Sequence, residues 1–60
     1  MDHFAIGDTV RIQAMPFRGV IGTVIDIDTD AGKYFVRISP LTQGWYSPDK
    51  LQAADDTNNT

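Results

Sequence analysis

Asp26, Asp28 and Asp30, spaced at every second position, are the first residues here whose pattern suggests chemistry. Clustered carboxylates are what a hard cation such as calcium takes as ligands. A calcium-binding loop of the helix–loop–helix kind, begun at Asp26, would need glycine at its sixth position and glutamate at its twelfth. Ala31 and Arg37 stand there, and Gly32 comes one residue late. On a strand entering a hairpin, the three carboxylates share a face and then splay around the turn, which reads as a solvated acidic tip. His3 is the single histidine and there is no cysteine, so neither a histidine cluster nor a thiolate site can be assembled, and no metal is expected.

Catalysis has little to work with. The chain has no cysteine nucleophile and no glutamate, and His3 lies three residues from the start, where it reads as an exposed lead-in residue. No serine has a histidine–acid pair beside it in sequence to activate it. The expectation is a non-enzyme with no catalytic residues and no cofactor.

The aromatic residues say more. Phe4, Phe17, Tyr34, Phe35, Trp45 and Tyr46 are too many for the interior of one very small domain. Tyr34 shares its parity with Val36 and Ile38 and is assigned to the core, whereas Phe35 alternates with Lys33 and Arg37 and is expected to be partly exposed. Alternation also places one of Trp45 and Tyr46 inside and the other outside. Phe17 stands in a proline-containing loop beside Met15 and Arg18, where it is either a contact residue or a plug for the end of the fold. Met15, Phe17, Arg18, Phe35 and one of Trp45 and Tyr46 are the candidate binding residues, an apolar patch with arginine at its rim, as protein contact sites commonly are.

The elements that must position these residues are strands. Residues 17–27 read Phe-Arg-Gly-Val-Ile-Gly-Thr-Val-Ile-Asp-Ile, with apolar residues on both parities. A flat strand with one wet face alternates, so this run must be buried on both faces or sharply bent, and Gly22 is the expected site of the bend. Thr9-Val10-Arg11-Ile12 alternates as a first strand, with Val10 and Ile12 inward. Residues 13–18 form a loop around Pro16. The second strand runs from about Val20 to Asp28, residues 29–32 turn, and residues 33–39 make the third strand. Residues 40–44 are a second turn and Trp45-Tyr46-Ser47 a short fourth strand. Ser47-Pro48-Asp49-Lys50 has the form of one helical turn capped by Ser47, after which Leu51 returns to the core. The fold class is therefore all-β: a small SH3-like barrel of four to five antiparallel strands with one helical turn before the last. It is expected to occupy residues 1–53, followed by a disordered polar tail, 54–60.

Gly7-Asp8-Thr9-Val10-Arg11-Ile12, followed by Pro16-Phe17-Arg18-Gly19-Val20-Ile21-Gly22-Thr23-Val24, resembles the KOW motif of NusG-type transcription factors and of several ribosomal proteins. The resemblance spans roughly residues 6 to 52. A similar scaffold and opening recur in the PsaE family of photosystem I, in nitrile hydratase β subunits and in type II dihydrofolate reductases. The last family lines its pore with a Val-Gln-Ile-Tyr run, and the nearest positions here, Gly44, Trp45, Tyr46 and Ser47, differ from it.

Composition narrows the choice. In 60 residues with 42% hydrophobic side chains and no disulfide, stability is thin, which favours an oligomer or a larger assembly. The net charge of −3 comes from the ends: without Asp2, Asp55 and Asp56, five aspartates face Arg11, Arg18, Lys33, Arg37 and Lys50. With no basic stripe, nucleic acid is expected to bind only weakly. The opening residues lack the basic and apolar regions of a signal peptide, and no apolar run could span a bilayer, so a soluble, cytoplasmic protein is expected. The first expectation is a non-catalytic accessory subunit that binds a protein partner or itself. The alternatives are a KOW-type nucleic-acid, ribosome- or transcription-associated module and an oligomeric type II reductase-like enzyme.

Overall fold

The computed structural model describes residues 3–54, and these build one antiparallel sheet of five strands. The strands are β1 (Thr9–Ile12), β2 (Ile21–Asp28), β3 (Lys33–Ser39), β4 (Thr42–Tyr46) and β5 (Leu51–Ala53), with a 3-10 turn, Pro48–Lys50, leading into β5. Their order across the sheet is β4-β3-β2-β1-β5, so the sheet is open, with β4 and β5 at its edges. The expected tail falls outside the described residues except for Ala54, whose amide continues the β5 ladder by donating to the Thr9 carbonyl at 3.1 Å.

Alternation fixes the core. Val10 and Ile12 of β1, Val24 of β2, Tyr34 and Val36 of β3, and Leu51 of β5 form one buried cluster. Phe4, Ala14, Phe17, Ile27, Ile38 and Tyr46 pack around it. Phe4 of the lead-in closes one side, its ring edge-on to Tyr34 at 5.3 Å and its amide donating to the Tyr34 hydroxyl at 3.3 Å.

The bend in β2 lies three residues beyond the expected position. Val24 pairs with Val36 and Asp26 with Phe35, which leaves Ile25 as the extra residue of a β-bulge. The bulge resets parity, so Gly22 and Val24 face inward before it and Ile27 faces inward after it. Gly22 has a different task. A Cβ at this position would lie 2.6 Å from Val36 Cγ1 and 3.0 Å from the Arg37 carbonyl oxygen, so glycine is what lets β3 pack directly against β2.

At the far end of this hairpin, Gly32 takes φ 69° and donates its amide to the Asp28 carbonyl at 2.8 Å. Strand β4 starts earlier and ends earlier than its sequence suggested. Only Pro40 and Leu41 turn, and Ser47 has left the ladder to stand as N-cap to Pro48. The Ser47 hydroxyl caps no backbone amide; it donates to Asp49 Oδ1 at 2.6 Å, and this bond holds the Asp49 carboxyl below its ordinary pKa.

Candidate interaction surface

The outward positions of β3 and β4 carry an aromatic pair. Phe35 and Trp45 are direct cross-strand partners, and their rings lie 4.6 Å apart between centroids at 32°. Such pairs contribute beyond their buried area, about 0.5–1.5 kcal/mol. Phe35 is half-buried beneath its neighbour, whereas Trp45, on the edge strand, keeps 47% of its surface exposed. On the other side of Phe35 stands Asp26, whose carboxylate accepts from the Ile27 amide at 2.8 Å. Two residues along β3, Arg37 donates from Nε to Gln43 Oε1 at 3.2 Å, which carries its guanidinium toward the β4 edge.

Alternation decides the neighbouring aromatics. Tyr46 turns inward and packs on the core, leaving Trp45 as the outward member of the pair. Phe17 also packs on the core from the β1–β2 loop, which is the plug arrangement. Met15, 76% exposed, and Arg18, exposed, stay on the surface of that loop.

The six candidate residues therefore do not form one patch. The loop joins β2 at Ile21, whereas Phe35 pairs at Asp26, five residues further along and about 16 Å by strand rise. The bulge between them turns the two outer surfaces apart. Phe35 and Trp45 form one surface. Met15 and Arg18 belong to the other, over Phe17, at the end where the β3–β4 turn also lies. Three apolar residues at this second end escaped the sequence reading: Leu41 at 96% exposure, Ile21 at 41% and Val20 at 38%. Ile21 could have been found from parity, since it must face outward if Gly22 faces inward.

The acidic hairpin uses its carboxylates locally. Asp28 Oδ1 accepts from the amides of Asp30 and Ala31 at 3.1 and 3.0 Å, tying the turn together. Among the described residues, no group of three or more acidic or histidine side chains is placed to hold a metal ion. His3, Asp28 and Tyr34 do share the wall of a cleft of about 260 Å³ with Ile27, Thr29, Gly32 and Pro48. None of these is a nucleophile with an activating partner. No helix among the described residues is long and apolar enough to cross a membrane.

No protein-family model, curated protein or solved structure matches the chain.

Proposed function

We propose that this chain is a non-catalytic protein-interaction module, a small accessory subunit on a KOW-like, SH3-type scaffold. The observation that carries this reading is the Phe35–Trp45 pair: a half-exposed indole, backed by a second ring, on an edge strand that no other strand covers. Rigid aromatic anchors backed by packed neighbours are what contact hot spots are made of. The Gly7–Ile12 opening and its resemblance to KOW domains support the scaffold assignment. The balance of basic and acidic residues in 3–54 favours protein over nucleic acid as the partner. The reading keeps the cytoplasmic setting expected from the sequence.

The test is capture of a stoichiometric protein partner by the wild-type chain and by Trp45→Ala. Loss of capture by a variant that still melts cooperatively supports the proposal. Capture that survives Trp45→Ala overturns it. So does salt-sensitive binding of RNA in place of a protein, or binding of NADPH by a tetrameric sample.

A further inference from the structure

We infer that the partner of the β4 edge is a second copy of this chain, joined by antiparallel β4–β4′ pairing across a two-fold axis at Gly44. The inference deepens the interaction reading above and rests on it.

The two edges of the sheet differ. Strand β5 has three residues, short enough to discourage pairing, whereas β4 has five. Edge strands that stay single are usually guarded by a charge, a proline or a bulge. The sequence of β4, Thr-Gln-Gly-Trp-Tyr, has no charge and no proline, and its register with β3 is regular from Gln43 to Tyr46. The irregularity lies earlier, between Arg37 and Ser39. The edge is therefore open to another strand.

The outer face then selects which strand. Antiparallel self-pairing centred on Gly44 places Gln43 opposite Trp45 of the second copy, and Trp45 opposite its Gln43. Behind each Gln43 stands Arg37, already drawn toward the edge by its bond to Gln43 Oε1. Across the axis the outward row becomes Phe35, Trp45, then Gln43 and Arg37 of the copy, and the same row repeats in reverse. Each indole meets a guanidinium-bearing row, an electrostatic match between a cation and an aromatic face. One strand supplies both halves of the match in the register a two-fold requires. An unrelated strand would have to bring its own cation to the same place. Pairing would also offset the thin core of a 60-residue chain without disulfides, as association does in many small domains.

Sedimentation of the full chain across a concentration series, with amide exchange followed by NMR, tests the inference. The expected result is a reversible dimer in which the Gln43, Gly44 and Trp45 amides slow as concentration rises. Trp45→Lys should weaken the dimer at least about tenfold, and Arg37→Gln about threefold. Both variants should keep the wild-type far-UV spectrum when dilute. A chain that is monomeric at about 1 mM overturns the inference. So does a dimer whose concentration-dependent amides lie in residues 13–21 or beside Leu41. A monomer that still captures a different protein through Trp45 overturns only the second copy as occupant, whereas a monomer with Trp45-independent capture removes the interaction reading as well.

Discussion

Gly22 is the position at which a single atom matters most. Its φ is not in the left-handed region; the constraint is the space taken by Val36 Cγ1 and the Arg37 carbonyl. Val36 is β-branched and fully buried, so its methyl has little room to retreat. Gly22→Ala is expected to destabilise the fold by about 1–3 kcal/mol, and Gly22→Val by more, as overpacked cores do. Urea melts at constant temperature measure this, and an unchanged midpoint would mean that β3 can move away. Phe17 and Met15 share a loop but should behave differently. Phe17→Ala removes a ring packed on the core and should cost about 2–3 kcal/mol, below the range for a fully buried phenylalanine. Met15→Ala should stay within about 0.5 kcal/mol. Asp49 offers a pH test. Its carboxyl is lowered first by the Ser47 hydroxyl, so its contribution is present above the unfolded pKa and is lost as pH falls through the lower folded value. Ser47→Ala should move the Asp49 titration upward by NMR, and an unmoved titration would show that the hydroxyl is not the cause.

At the scale of elements, the hairpin between β2 and β3 is held by one side chain. Asp28→Ala removes the acceptor for two turn amides and should lower stability by about 1 kcal/mol, while Asp30→Ala should change little. Thermal melts of the two variants at one pH compare them directly. Strands β1 and β3 were legible to the residue, because Thr9–Ile12 and Lys33–Ser39 alternate cleanly and are bounded by turn residues. The run in β2 showed that a bend must exist but not where. Glycine drew attention to position 22, whereas the extra residue is Ile25, an ordinary strand former whose role depends on the register of β3. Strand β4 was misjudged at both ends for a similar reason. Thr42, Gln43 and Gly44 have weak strand propensity and are held in the ladder by pairing with β3. The candidate residues were identifiable as types, and parity gave the choice between Trp45 and Tyr46 its form. Their division into two surfaces was not visible, because it follows from the bulge.

The whole molecule has one seam of a different kind from the rest. Strands β1 to β4 follow one another as a meander, so each of their ladders joins neighbours in sequence. The β1–β5 ladder joins the two ends of the described chain, with Ile12 opposite Leu51 and Val10 opposite Ala53. Closing that seam must wait until the meander has shortened the distance, since a long loop is costly to close before other contacts exist. The order of events on the folding path is thereby set. Leu51→Ala should mainly accelerate unfolding and leave the folding rate nearly unchanged, whereas Val24→Ala, in the central hairpin, should slow folding. A chevron plot of each variant separates the two limbs, and a Leu51→Ala chain that folded slowly would place β5 in the nucleus. The last strand to dock is then the first to peel away, and the lifetime of the native state is governed by three residues at the end opposite the aromatic edge.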